Sequence, residues 1–271
     1  MKTRVITAVV LLPLLLLLVL FAPKIFTAVL FAILASIATY ELLNGTGMVK
    51  HIRLCAYSVL AAFWCVLWCG LGIGNVWLLL GVSLLFVAIF AEMMASNMRL
   101  SFDKAAVCFA AGVIIPLLLG AIVRLHNTEE GRFYILIPFV LAFLSDTGAY
   151  FAGLRFGKHK LAPVISPKKT VEGVAGGVVG AVVGMVIYCL VLQLGFGFKV
   201  NYLFAVLYGI LGSGAGVFGD LCFSVIKRQT GIKDYGNLFP GHGGVLDRFD
   251  SNIVVAPLVE ILLALLPVAV R

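Results

Sequence analysis

The sequence predicts an all-α, polytopic integral membrane protein; its composition, its apolar runs and the placement of its basic residues each indicate this fold class. Hydrophobic residues make up 62% of the 271 positions, charged residues make up 12%, and the mean hydropathy is +1.14. A soluble domain is about half apolar and about one quarter charged. A chain of this length could not enclose so much apolar surface in water, so a water-soluble fold is excluded.

Nine apolar runs have the length of a membrane-crossing helix, which needs about 20 predominantly apolar residues. The first run resembles the core of a signal peptide because Lys2 and Arg4 precede it. A second run follows directly after Pro23 and Lys24, which favours a retained first span over a cleaved leader. The nine predicted spans are 5–22, 25–43, 54–72, 76–95, 105–125, 133–153, 172–194, 202–226 and 251–270.

The basic residues indicate how these spans are oriented. The formal net charge of +8 does not indicate a nucleic-acid partner, because charges are few and their placement matters more than their sum. Nine spans put the N-terminus on the side with lysine or arginine at positions 2, 4, 50, 53, 99, 104, 155, 158, 160, 168, 169, 227, 228, 233 and 248. The opposite side carries them at positions 24, 124, 132, 199 and 271. Basic loops stay in the cytoplasm, so we expect a cytoplasmic N-terminus in a bacterial inner membrane.

We interpret the chain as a single transmembrane domain, 1–271. Its first part, 1–130, offers little chemistry and is expected to be mainly scaffold. The remainder, 131–271, is expected to carry the site, because the loops 154–171 and 227–250 are the richest in basic residues.

Glycines recur four residues apart in two of the predicted spans. Gly176, Gly180 and Gly184 do so in the seventh span, and Gly212 and Gly216 in the eighth. Such spacing lets helix backbones approach closely in lipid. We therefore expect close helix packing, and the same surfaces leave room for a homodimer.

Two aspartates, Asp146 and Asp220, lie inside predicted spans, where a charge is costly and usually faces an interior cavity. At the helical repeat, Asp220, Ser224 and Lys227 share one face. One interpretation makes both aspartates site carboxylates. In the alternatives, Asp146 is a structural hydrogen-bonded acid, Ser224 bonds to its own helix, and Asp220 pairs only with Lys227.

Three glutamates also lie near or within apolar runs. Glu41 and Glu92 lie near the ends of their spans, so we expect them to be solvated or at the membrane interface. Glu260 lies deeper in the ninth span, and the sequence assigns it no role.

The segment after the eighth span, 227–250, combines basic residues, glycines and acids. The His-Gly-Gly run at 242–244 can turn backbone amides toward an anion. Asp247 and Asp250 are three residues apart, so the start of a helix would bring them together. Helix capping by acids is the alternative, but capping leaves the buried acid of the preceding span unexplained.

Lys168 and Lys169 precede the start of the seventh span. Free amides and the helix dipole add positive potential at a helix N-terminus, so phosphate is the expected ligand. The alternative is an ordinary basic loop that lies on anionic lipid.

Acids and fixed cations at a membrane–cytoplasm boundary suit phosphoryl-type transfer between polyanions. Carboxylates bind Mg²⁺, which prefers oxygen ligands and substrate phosphates. Lysine, arginine and backbone amides neutralise the remaining charge. A phosphate nucleophile is already ionised at neutral pH, which agrees with the lack of a clear nucleophile and base pair in the sequence.

Three blocks in the C-terminal part keep a fixed spacing. They are Ser224-x-Ile226-Lys227-Arg228, Lys233-Asp234-x-Gly236 and Pro240-x-His242-Gly243-Gly244-x-x-Asp247-Arg248-x-Asp250. Together they resemble the signature of the phosphatidate cytidylyltransferases, or CDP-diacylglycerol synthases. The segment from Ser145 to Gly173 also resembles that family, whereas the first 130 or so residues resemble it only as a set of hydrophobic spans.

The resemblance implies that CTP and phosphatidate give CDP-diacylglycerol and pyrophosphate, with Mg²⁺. The placement of the basic loops puts the expected active site at the cytoplasmic side of the membrane. It makes Asp220 and Asp247 the metal ligands, which we expect to converge, and Asp250 a third acid for a second cation or for the surrounding shell. Lys227 and Arg228 join the two metal ligands as catalytic residues. The remaining substrate-binding and pocket residues are Ser224, Lys233, His242, Gly243, Gly244, Arg248, Lys168, Lys169 and Asp146.

Two alternatives remain at this point. Asp146, Asp220 and the glycine-rich spans also suit a transporter with intramembrane acidic sites. The sequence shows no internal repeat, however, and a transport pathway would carry polar residues toward the outer face as well. A CDP-alcohol phosphotransferase is a second enzymatic alternative, but the aspartate-rich spacing of that family is absent.

Overall fold

The computed structural model of the chain describes residues 19–97, 99–239, 241 and 243–271. Within these residues the protein is predominantly helical, which confirms the predicted fold class. The helices are α1 Lys24–Tyr40, α2 Ile52–Leu71, α3 Asn75–Ala95, α4 Phe102–Phe109, α5 Ile115–Leu119, α6 Ala121–Asn127, α7 Gly131–Tyr134, α8 Leu136–Phe156, α9 Val171–Phe196, α10 Tyr202–Gln229, α11 Leu246–Phe249 and α12 Asn252–Leu265. The strands are β1 Lys160–Ala162, β2 Ser166–Thr170, β3 Lys199–Val200 and β4 Ala269–Val270.

The predicted spans two to eight are confirmed as long apolar helical segments. In the part of the chain that the structure describes, seven segments are long and apolar enough to cross a membrane: Lys24–Gly45, Ile52–Leu71, Asn75–Ala95, Phe102–Asn127, Gly131–Phe156, Val171–Phe196 and Tyr202–Gln229. Two of them contain a π-helical turn, Glu41–Gly45 after α1 and Ala110–Ile114 between α4 and α5.

The first and ninth predicted spans differ from these seven. Most of the first, 5–22, lies outside the described residues. The ninth, 251–270, contains the 14-residue helix α12, with Pro257 inside it. A helix of that length is about 21 Å long, shorter than the hydrocarbon core of about 30 Å. The count of nine therefore stays a prediction.

The chain separates into two compact units. The first unit comprises Met1–Arg132 and Lys227–Phe249, and the second comprises Phe133–Ile226 and Asp250–Arg271. The division falls within α10, whose last turn belongs to the first unit.

Small residues let the helices of the first unit approach closely. Gly70 of α2 lies against Ala28 of α1, where an added Cβ at Gly70 would be 2.2 Å from the Ala28 side chain. The buried Thr39 hydroxyl donates a hydrogen bond to the carbonyl oxygen of Ala111, at 2.9 Å. This bond satisfies a polar group that the apolar interior would otherwise penalise.

In the second unit, glycines join α8 to α9. A Cβ at Gly148 would lie 2.4 Å from the carbonyl oxygen of Gly176, and one at Gly180 would lie 2.4 Å from that of Leu144. The predicted close packing of the glycine-rich span is therefore confirmed. The helices that these glycines bring together belong to the same chain. A homodimer stays a prediction.

The basic segment between α8 and α9 is a hairpin in the second unit. Strands β1 and β2 pair antiparallel, with Lys160 opposite Thr170. Thr170 caps α9 by accepting a hydrogen bond from the Gly173 amide, at 3.1 Å. The Glu172 carboxylate accepts hydrogen bonds from the amides of Lys158 and His159, which directly precede β1. These contacts hold the hairpin against the start of α9, and strand β2 of this hairpin carries Lys168 and Lys169.

Candidate active site

In the first unit, the carboxylate of Asp247 organises the segment between α10 and α11, residues 230–245, which we call the site loop. Its side chain is 3% exposed. One oxygen accepts a hydrogen bond from the Lys227 ammonium group at 2.8 Å. The other accepts hydrogen bonds from the amides of Tyr235 at 2.8 Å and Gly244 at 3.0 Å. The three donors come from separate points along the chain, so one carboxylate holds the end of α10 and two parts of the site loop together.

Lys227 is the cationic partner in this arrangement. It lies in the last turn of α10, and its side chain is 11% exposed. Its ammonium group also lies 5.3 Å from the centroid of the Tyr235 ring, within the range of a cation–π contact. A buried pair of this kind is tolerated because each charge has a partner of good geometry.

Glycine is favoured at the two glycine positions of the His-Gly-Gly run for different structural reasons. Gly243 has φ +88°, a conformation that side chains rarely adopt, and an added Cβ would lie 2.7 Å from an Asp247 oxygen. Gly244 donates its amide to Asp247, and an added Cβ would lie 2.4 Å from the Glu41 carboxylate. The preceding residue, His242, lies outside the described residues.

Glu41 is the residue that sequence reasoning missed. It is 6% exposed, so the expectation that it is solvated is wrong, whereas its place at the membrane interface stays a prediction. Its carboxylate accepts hydrogen bonds from the amides of Val245 at 3.1 Å and Leu246 at 2.9 Å. These partners lie 204 and 205 positions further along the chain. The one available signal was an acid in a strongly apolar span, and that signal does not identify a partner.

In the second unit, Asp220 has partners of its own. Lys169, the penultimate residue of β2, places its ammonium group 2.7 Å from one Asp220 oxygen. Ser224, one helical turn after Asp220 on α10, donates a hydrogen bond to the other oxygen, at 3.1 Å. The predicted shared face of Asp220 and Ser224 is confirmed. Lys227, by contrast, pairs with Asp247.

The other predicted site residues lie in several places. Asp250 is buried, and its carboxylate accepts a hydrogen bond from the amide of Ser251, at 2.8 Å. The remaining five are exposed: Asp146 on α8, Lys168 on β2, Arg228 at the end of α10, Lys233 in the site loop and Arg248 on α11.

The donor groups of these residues suit a hard divalent cation. Among the described residues, no three histidine, cysteine or acidic side chains gather in one place. Mg²⁺ does not require such a cage, because it usually keeps several waters and binds one or two carboxylates together with substrate phosphates. Asp220 fits that mode, since its side chain is 31% exposed and the Ser224 hydroxyl lies beside it. Asp247 fits only in exchange for a present donor, because both of its oxygens already accept hydrogen bonds.

Comparison with known proteins gives close relatives along the whole chain. The sequence model of the cytidylyltransferase family matches residues 2–266. A phosphatidate cytidylyltransferase of Staphylococcus haemolyticus is 38% identical over 267 residues, which cover 97% of this chain and 99% of the relative. That of Bacillus subtilis is 34% identical over 283 aligned residues, 98% of each chain. One from Staphylococcus aureus is 38% identical over 182 residues, 67% of each chain.

Replacing Lys227 tests the buried pair. Lys227→Met leaves the Asp247 carboxylate without its cation, and breaking a buried pair in this way costs about 3–5 kcal/mol. We expect a clear drop in the thermal unfolding temperature in detergent. Lys233→Met is the matched control, because Lys233 is exposed and such substitutions change the free energy of unfolding by less than about 0.5 kcal/mol. Equal unfolding temperatures for the two variants would contradict the buried pair.

Proposed function

The chain belongs to the cytidylyltransferase family, and on that premise we propose that it transfers the cytidylyl group of CTP to phosphatidate. The products are CDP-diacylglycerol and pyrophosphate, and the protein is a nucleotidyltransferase of phospholipid synthesis. The structural observation that carries this proposal is the site loop, in which one buried carboxylate collects a lysine and two backbone amides. Among the described residues, this carboxylate brings Lys227 and Gly244 of the predicted signature together around Asp247.

The reaction requires positioning and charge neutralisation more than acid–base chemistry. A phosphate oxygen of phosphatidate attacks the α-phosphorus of CTP and forms the new P–O bond. The bond between the α-phosphorus and the oxygen that bridges to the β-phosphorus breaks, and pyrophosphate leaves with that electron pair. The nucleophile is already ionised at neutral pH, so the protein's task is to hold two polyanions together and in line.

The family implies a divalent cation, and we propose that it is Mg²⁺. Asp220 and Asp247 are proposed to supply carboxylate oxygens to it, and Asp250 is proposed to serve a second cation or the surrounding shell. The bound cation would neutralise phosphate charge and so reduce the repulsion between the substrates. Ser224 and Lys169 hold the Asp220 carboxylate in place for this role.

The basic residues are proposed to bind the phosphate groups. Arg228, Lys233 and Arg248 are exposed and bring three positive charges to the segment around the site loop. Lys227 adds a fixed positive charge beside Asp247. Four further residues are proposed to complete the substrate pocket, namely Asp146, Lys168, Gly243 and His242, while Gly244 shapes the loop because its amide is already donated to Asp247.

The seven apolar segments indicate a membrane protein, and the bacterial relatives are consistent with the plasma membrane. We further propose that the N-terminus and the basic loops lie in the cytoplasm, where CTP is available. Phosphatidate presents its phosphate at headgroup depth, so a site at the inner interface reaches both substrates. No finding supports the transporter alternative.

Replacing Asp220 tests its proposed metal-binding role. Asp220→Asn preserves the shape of the side chain but removes its charge, and we expect turnover to fall at least about a hundred-fold. The assay incubates purified protein with labelled CTP, phosphatidate and Mg²⁺ and measures the chloroform-soluble product. Asp103→Asn, which changes an exposed acid in the first turn of α4, is the control and should retain the natural rate. Normal Mg²⁺-dependent turnover of Asp220→Asn would refute the metal assignment; ion flux without any product would favour a transporter.

Labelling of single cysteines, introduced into a variant whose six native cysteines are replaced by alanine, tests the orientation. Val164 lies between β1 and β2 and is 85% exposed, so Val164→Cys should react with a membrane-impermeant maleimide in inside-out vesicles and not in intact spheroplasts. Glu129→Cys, an exposed position in a loop predicted on the opposite side, should show the reverse pattern. Labelling of Val164→Cys in spheroplasts would contradict the cytoplasmic placement.

A further inference from the structure

We propose that Glu41 is a positioning residue for the reaction, because it holds the end of the site loop in place through backbone amides. This inference rests on the proposed function, since it assigns Glu41 to the same site. It also changes the role of the N-terminal spans, which the sequence indicated only as scaffold. A residue of the second predicted span would then control how well the C-terminal signature binds CTP.

The contact is a buried carboxylate that faces two amides. The side chain of Glu41 belongs to the π-helical turn that ends the first described span, and Glu41 is 6% exposed. Its two oxygens each accept one hydrogen bond, from Val245 at 3.1 Å and from Leu246 at 2.9 Å. Hydrogen bonds to an ionised acceptor are stronger than neutral ones, and burial increases their strength further.

The backbone of the site loop is shaped to admit this carboxylate. An added Cβ at Gly236 would lie 2.3 Å from a Glu41 oxygen, and one at Gly244 would lie 2.4 Å from both oxygens. Two parts of the site loop, eight residues apart in the sequence, therefore meet the same side chain. Glycine at both positions is what allows the close approach.

A second contact joins the same helical turn to the site loop. Gly45, four residues after Glu41, lies against Tyr235, where an added Cβ would be 2.3 Å from the Tyr235 carbonyl oxygen. The amide of Tyr235 is one of the three donors to Asp247. Glu41 and Gly45 thus form one contact surface for the residues that surround the Asp247 carboxylate, and we call this surface the platform. Release of this platform should loosen the donors to Asp247 as well as the two amides that Glu41 binds.

The chemistry of glutamine provides the conservative variant. Glu41→Gln keeps the length and nearly the volume of the side chain, but it has one oxygen acceptor and one NH₂ donor. The NH₂ group cannot accept from an amide, so one buried N–H loses its partner. The control is Glu92→Gln in the same unit, since Glu92 has a 13% exposed side chain and pairs with Arg53 and His51, neither of which belongs to the site loop.

The experiment combines kinetics with amide hydrogen exchange of the full chain in detergent. For Glu41→Gln we expect the KM for CTP to rise about ten-fold, as the loss of one charge-assisted hydrogen bond implies, with the KM for phosphatidate changed less than two-fold. We expect exchange to accelerate about ten-fold at Val245 and Leu246 and also at Tyr235 and Gly244, which Glu41 does not bind. Glu92→Gln should change neither quantity.

Two outcomes would overturn the proposal. One is an unchanged KM for CTP in Glu41→Gln. The other is accelerated exchange confined to Val245 and Leu246, which would show a local contact without any positioning of the Asp247 donors. If neither the natural protein nor its variants make product, the proposed function fails. The exchange pattern still decides whether Glu41 holds the loop.

A glycine variant keeps the test decisive if Glu41→Gln does not fold. Gly45→Ala pushes against Tyr235 from the same platform and leaves Glu41 intact, so it should raise the KM for CTP and accelerate exchange at Tyr235. Gly74→Ala is its matched control, because an added Cβ there meets nothing within 4 Å. Equal KM values for CTP in Gly45→Ala and Gly74→Ala would count against the platform.

Discussion

A single buried carboxylate, that of Asp247, is the constraint on which the site loop depends. A carboxylate removed from water is tolerated only when it is paired and hydrogen-bonded. The Lys227 ammonium group and the amides of Tyr235 and Gly244 provide that compensation. Because these donors lie at three separate points along the chain, the need to satisfy one anion fixes the course of a loop that has little regular secondary structure. The Glu41 carboxylate stabilises the end of the same loop by accepting hydrogen bonds from two further amides.

The second unit treats its own aspartate in a related way. Asp220 lies beside the Lys169 ammonium group and the Ser224 hydroxyl, so here too a carboxylate is held next to a fixed cation. Transfer between two polyanions needs charges of both signs that are fixed before the substrates arrive, since fixed groups require no reorganisation during the reaction. Each unit therefore holds one acid beside one lysine, as a transfer between two polyanions requires. This arrangement is consistent with membership of the cytidylyltransferase family.

The sequence predicted those features that depend on local patterns. Spans two to eight followed from long apolar runs, and the contact between Asp220 and Ser224 followed from the helical repeat. The pairing of Asp220 with Lys169 and the burial of Glu41 did not follow, because each partner is distant along the chain and no periodicity connects them. The early end of the helix Asn252–Leu265 within the predicted span 251–270 was also not predicted, because an apolar run reports hydrophobicity and not where a helix ends. The convergence of the two metal-binding aspartates stays a prediction.

Turnover of Asp247→Asn, measured with labelled CTP and phosphatidate over a Mg²⁺ titration, tests the role of this carboxylate most directly. Asparagine keeps the size of the side chain but replaces one acceptor oxygen with an NH₂ group. That group cannot accept the hydrogen bonds that the carboxylate now receives. We expect turnover to fall at least about a hundred-fold at every Mg²⁺ concentration, together with faster amide exchange at Tyr235 and Gly244. A variant with the natural rate, the natural Mg²⁺ dependence and an unchanged exchange pattern would contradict a role for Asp247 in either the loop or the chemistry.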